Sequence, residues 1–182
     1  MKSLMSRLSR FARKEDGTVL LEGVMMLPLL LWTCFGLFVF WDAHRSINTV
    51  QKASYTISDI ISRRQAAVTP TYLNGLNGVM NYLLDREQTS KMRVTSIVRS
   101  GVNNRFEVQW SYSPGSAMVP WTTSTLQTVQ SRIPTMTNGD TVILLETAVD
   151  YDVNFDVGFE GMTIRQFIIT RPRMAPQIGF TN

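Results

Sequence analysis

The sequence predicts an α+β fold: a long N-terminal transmembrane helix continuing into an exported domain with a small antiparallel sheet. Three observations predict it. Residues Gly17 to Trp41 contain a single charged side chain, Glu22. Beyond them, apolar residues recur at spacings of three and four with no helix breaker as far as Arg64. From Met92 the apolar period changes to two, the signature of half-buried strands.

The apolar run comes first in the argument. As a helix, Thr18 to Trp41 is about 36 Å long, enough to cross a ~30 Å hydrocarbon layer with some tilt. Lys2, Arg7, Arg10, Arg13 and Lys14 precede it, and the chain turns polar after it at Asp42, His44 and Arg45. Positive charge on the N-terminal side keeps that side in the cytoplasm and exports the rest. A secretory signal peptide has a shorter core, about 7 to 15 residues, ending in small residues. Here the run ends in Phe38, Val39, Phe40 and Trp41. The chain therefore divides into a basic leader over 1–17, a membrane helix over 18–41 and an exported α+β domain over 42–182, with a helical extension over 42–64. In the leader, Leu4, Met5, Leu8 and Phe11 are spaced to lay a helix on the inner leaflet. Pro28 removes a backbone donor inside the span and predicts a kink there.

Glu22 lies five residues beyond Gly17, the fifth residue of a chain cut between Gly17 and Thr18. A carboxylate within a bilayer costs up to a few kcal/mol and needs a partner. The stretch Phe11-Ala-Arg-Lys-Glu-Asp-Gly-Thr-Val-Leu-Leu-Glu-Gly, followed by Leu27-Pro28-Leu29-Leu30-Leu31, resembles the processing region of type IV prepilins, and more narrowly that of TadE-like pseudopilins of tight-adherence (Flp) pilus systems. The resemblance covers about the first third of the chain. The segment ETAVDYDV and a terminal strand leading into Arg171-Pro172-Arg173 are loosely similar to the ends of those proteins.

The resemblance implies a pilin-like architecture in the bacterial inner membrane, with the C-terminal domain in the periplasm. It implies cleavage at Gly17–Thr18 by a prepilin peptidase and a non-catalytic role in priming or assembling an adhesive pilus. Its partners are then other pilins or pseudopilins and the pilus assembly platform. Glu22 is the assembly residue, paired with the new N-terminal amine of a neighbouring subunit.

After the span, Ile47, Val50, Ser54, Ile57 and Ile61 mark the face of a continuing helix that packs on the domain. Pro70 suits the first turn of a second helix, whose stripe Tyr72, Leu73, Leu76, Val79, Met80, Leu83 and Leu84 runs to about Glu87. Arg93–Arg99 and Arg105–Tyr112 are strands joined by a turn, and Phe106, Val108, Trp110 and Tyr112 are expected on one side of the second. Ser113–Trp121 reads as a loop, and Thr122–Ile133 as a short surface helix stopped by Pro134. Asn138-Gly139-Asp140 is a turn, Thr141–Phe155 and Met162–Arg171 are strands, and the tail after Pro172 is irregular.

Composition narrows the function. The 182 residues carry 18 basic and 14 acidic side chains, a formal charge of +4. Without residues 1–17, which hold five basic and two acidic ones, 13 basic and 12 acidic remain. The charge thus belongs largely to the leader and does not point to nucleic acid. One cysteine, Cys34, and one histidine, His44, supply neither a disulfide nor a zinc site, and no phosphate- or dinucleotide-binding glycine pattern occurs. The expectation is a chain without cofactor, metal or enzymatic activity. Asp150, Asp152, Asn154 and Asp156 alternate like the opening of a calcium loop, but Phe155 and Gly161 occupy the positions where an EF-hand has glycine and an acid, so the run reads as the wet face of a strand. The aromatics Phe106, Trp110, Tyr112 and Trp121 read as packing residues. Arg171 and Arg173 are candidates for ion pairs with a neighbour.

Overall fold

The computed structural model describes residues 16–84, 88–153, 155, 158 and 160–181. The inner-leaflet stretch of the leader lies outside them. Helix α1 spans Asp16–Ser62 and α2 Pro70–Leu83; strands β1 (Ser90–Ser100) and β2 (Arg105–Tyr112) precede the one-turn α3 (Thr123–Leu126), and β3 (Thr141–Tyr151) and β4 (Met162–Thr170) follow. The chain forms two compact units. One holds α1 up to Asp42 together with the segment around Phe155, and the other holds the chain from Ala43 to Asp152 and from Glu160 onward.

In the first unit α1 passes through Pro28 as one helical element. The proline leaves the Val24 carbonyl without its usual donor four residues on. Nearby, the Thr33 hydroxyl donates to the Leu29 carbonyl at 2.8 Å, so this polar group is satisfied within the helix.

In the second unit the strands form one antiparallel sheet in the order β2-β1-β3-β4. The two hairpins follow from the sequence, whereas the central β1–β3 pairing joins strands separated by residues 101–140, which hold β2 and the β2–β3 connection. Each sheet face is covered. On one, Met92, Val94, Ile143, Leu145 and Val149 are buried, as are Val50, Ala53, Ile57 and Ile61 of α1 and Leu73, Leu76 and Met80 of α2. The Ser54 hydroxyl meets that of Thr147 at 2.8 Å and ties α1 to β3. Small residues at 53, 54, 58 and 62 let the helix backbone lie close to the strands.

The other face is covered by the β2–β3 connection. Ile97, Phe106, Val142 and Leu144 of the sheet form a core with Leu126 and Ile133, against which Trp121, Val129 and Met136 pack. The expected surface helix is therefore a second layer: one α-turn followed by a 3-10 segment, Gln127–Arg132. Its start is set by Thr122, whose side chain accepts from the Thr125 N–H while Thr125 caps back, a reciprocal capping box.

Strand β2 corrects another expectation. Its register against β1 shifts between Ser96, opposite Trp110, and Ile97, opposite Val108. The extra residue is a β-bulge, which turns the following side chains to the opposite face. Phe106 and Val108 consequently join the core under the connection, while Trp110 and Tyr112 stack on Phe180 at 5.3 and 5.7 Å on the side of α2.

Element ends also move. Helix α1 stops at Ser62 rather than Arg64, because the Arg64 N–H bonds to Ile61 O in a tighter turn and the Ser62 carbonyl takes the N–H of Arg173. Helix α2, capped by Thr69, ends at Leu83 because Leu84 is extended; Glu87 lies outside the described residues. Strand β3 ends at Tyr151. The tail is held down by a parallel bridge between Val68 and Phe180 and by fully buried Ile178.

The Ser58 hydroxyl is buried and has no hydrogen-bond partner among the described residues. An unsatisfied buried donor costs about 1–3 kcal/mol. Ser58→Ala is therefore expected to stabilise the sheet unit by about 1 kcal/mol in urea unfolding of the full chain in detergent; no change in midpoint would mean that the hydroxyl is hydrated.

Candidate functional site

Gly17, Thr18 and Glu22 all fall on the N-terminal part of α1. Thr18 and Glu22 are four residues apart and share one face of the helix, about 6 Å apart along its axis. Both side chains are exposed, and no described residue pairs with the Glu22 carboxylate. Around it Leu21, Val24, Met25, Met26, Leu29 and Leu30 are each more than half exposed. A contiguous bare apolar surface of this kind is rare on soluble monomers and marks a surface that protein or membrane covers. The helix is long and apolar enough to cross a membrane. Cys34 is an exposed free thiol on the same apolar stretch.

The aspartates after β3 do not assemble. Asp150 accepts from Thr163 Oγ1 at 2.7 Å and pairs with Lys91 Nζ at 3.1 Å, and both are exposed. Asp152 follows the strand end, and Asn154 and Asp156 lie outside the described residues. No group of three His, Cys, Asp or Glu side chains suited to a metal occurs among the described residues. The Thr163 hydrogen bond, then the Lys91 ammonium, holds the Asp150 carboxyl below the usual range. In the turn after β1, Asn103 and then Arg105 do the same for Glu107. A depressed folded-state pKa contributes stability that is present above the unfolded value, near pH 4, and is lost as pH falls through the lower folded value. Both carboxyls are thus expected to titrate below their ordinary values in a carbon-detected NMR titration, and Lys91→Met is expected to raise the Asp150 midpoint.

A cleft of about 500 Å³ opens beside the connection that covers the second sheet face, lined by Lys91, Arg93, Trp121, Arg132, Glu146, Asp150, Arg165 and Phe167 among others. Its centre is the cross-strand pair Arg93 and Glu146, opposite each other in register. Arg93 Nη2 and Nε lie 2.7 and 2.8 Å from Glu146 Oε2, and both side chains are nearly buried. The guanidinium also donates to the Val119 carbonyl and lies 4.2 Å from the Trp121 ring centre, while the indole N–H donates to the same carboxylate at 2.5 Å. Arg132 stacks on Phe167 at 3.8 Å. Sequence reasoning missed this cluster; its signal was an acid directly after the apolar run Val142–Leu145 of β3, with Arg93 between the apolar Met92 and Val94 of β1.

The four aromatics pack as expected, although on two faces. Trp110 also donates its indole N–H to the Ile178 carbonyl, and the Tyr112 hydroxyl bonds to Asn74. Arg171 and Arg173 pair within the chain, with Asp140 at 3.0 Å and Asp59 at 3.3 Å.

The fold is thus α+β: a long apolar N-terminal helix and a domain built on a small antiparallel four-stranded sheet. Comparison with family models, with curated proteins and with solved structures returns no match for this chain.

Proposed function

We propose that this protein is a single-pass inner-membrane pseudopilin of TadE-like type, a non-catalytic minor subunit in the assembly of a tight-adherence pilus. The observation that carries the reading is Glu22, the sole acid in an exposed apolar helical run, one turn beyond the Gly17–Thr18 bond. Cleavage there by a prepilin peptidase creates an ammonium on Thr18, one helical turn from the carboxylate, a distance that an axial offset between neighbouring helices closes. Within one chain the two groups are fixed along the same helix. Between adjacent chains they form an ion pair that sets the axial register of bundled helices, and lipid makes that pair worth more than it is in water.

The N-terminus is cytoplasmic and the sheet domain periplasmic on this reading, and the basic residues before the span support that orientation. The non-catalytic role is supported by the state of the cleft, whose Arg93, Glu146, Lys91 and Asp150 are engaged with one another. Intact mass of the protein extracted from native membranes tests the proposal. Loss of residues 1–17 is expected, and Gly17→Phe is expected to abolish it. A full-length mass in the native host would leave a permanently anchored scaffold as the function.

A further inference from the structure

Building on the reading that residues 18–41 cross the membrane, we propose that Phe155, in the connection between β3 and β4, enters the same lipid layer beside the span, so that the chain meets acyl chains through this ring as well as through the helix. The Phe155 ring centre lies 5.7 Å from that of Phe35 and 6.2 Å from that of Phe38, edge-on to the latter. Phe35 and Phe38 are three residues apart and present one face of α1. They precede Trp41 by six and three residues, about 9 and 5 Å along the helix axis.

That offset fixes the depth. No charged residue lies between Glu22 and Asp42, so Phe35 belongs to the hydrocarbon part of the span, and Trp41 marks its outer edge. A ring resting on Phe35 and Phe38 is therefore inside that edge. Insertion by about 5–10 Å is the depth at which apolar side chains of interfacial segments reside. Phe155, Phe35 and Phe38 remain 46%, 48% and 45% exposed. The three rings make one patch that protein covers only in part, continuous with the bare surface of the span, and acyl chains are the occupant this continuity selects. The connection between Tyr151 and Met162 is ten residues long, beyond the two to five usual in a hairpin. Asp152 and Glu160 near its ends are exposed, and Asp156 is its third acid.

The test uses the full chain with Cys34→Ala, reconstituted in phosphatidylcholine–phosphatidylglycerol vesicles, with single cysteines carrying the fluorophore NBD. Phe155→Cys reports on the β3–β4 connection, Leu30→Cys on the span and Val102→Cys, 96% exposed in the β1–β2 turn, on water. The label at 155 is expected to emit to the blue of that at 102, to be quenched by brominated lipid, and to be reduced by dithionite about tenfold more slowly, as partition of a phenylalanine-sized group into lipid requires. A label at 155 as open to dithionite as that at 102, with the label at 30 protected, would overturn the proposal and leave the span intact. Exposure of both labels would defeat the span as well. Should the cysteine impair folding, p-benzoylphenylalanine at 155 keeps an aromatic ring in place. Illumination is then expected to yield lipid adducts, and capture of protein alone would count against the proposal.

Discussion

Glu22→Ala is expected to leave the chain inserted and processed after Gly17 while reducing assembled pili to a few per cent of the wild-type number or fewer. The estimate follows from the cost of an acid in lipid. At the centre of a membrane helix a carboxylate costs about 2.5–3.5 kcal/mol, and less near the interface. Most of that is recovered only when a cation sits beside it, so on the proposed reading each contact between subunits is favoured by about 2 kcal/mol, or some thirtyfold, over an unpaired state. Alanine removes both the cost and the recovery. The isolated subunit then inserts at least as well, yet nothing selects the register in which helices bundle.

Fibre counts by electron microscopy, alongside intact mass of the membrane-extracted subunit, separate the two effects. Pili at wild-type number with a processed subunit would rule out an assembly role for the acid. Glu22→Gln sharpens the comparison, since a neutral amide keeps the shape and hydrogen bonding but not the charge. It is expected to behave like alanine if charge sets the register.

The legible part of the molecule was the part governed by composition and period. An uncharged run needs no tertiary context to declare itself, and Glu22 stands out only because everything around it is apolar. The three-four spacing through Val50, Ser54, Ile57 and Ile61 likewise follows from one covered helix face, whereas β1 is buried on both of its faces. What could not be read depended on contacts between distant segments. The bulge in β2 leaves the alternation of Phe106, Val108, Trp110 and Tyr112 unbroken, so its reversal of face is visible only against the partner strand. The 123–133 segment carries apolar residues at helical spacing whether it lies on water or on a sheet. The tail reads as irregular, and it is; Ile178 is buried because the bridge at Val68 fixes its position. The Phe155 contact escaped for the same reason, since a loop phenylalanine gives no hint of the ring it will meet 120 residues away.

Breaking the Arg93–Glu146 pair should cost more stability than any other single polar change in the sheet unit. Arg93→Met is expected to lower unfolding free energy by about 3–5 kcal/mol, because it leaves the Glu146 carboxylate nearly buried with one indole N–H as its remaining described partner. It also removes a guanidinium that stacks on Trp121 and binds the Val119 carbonyl, which loosens the connection closing that sheet face. The double variant Arg93→Met with Glu146→Leu leaves no charge at this cross-strand position. Apolar replacement of a whole buried pair is often close to neutral, so the double variant should lose less than the single one, and the difference gives the coupling. Urea unfolding of both proteins in detergent, followed by far-UV circular dichroism, measures it. A single-variant loss below about 1 kcal/mol would mean that the pair is hydrated and behaves as a surface bridge. The argument depends on position rather than on the pair as such: Lys91–Asp150, two residues along one strand and four along the other, has the same charges and a comparable distance. Both of its side chains are at least half exposed, so its removal is expected to change stability by less than about 1 kcal/mol.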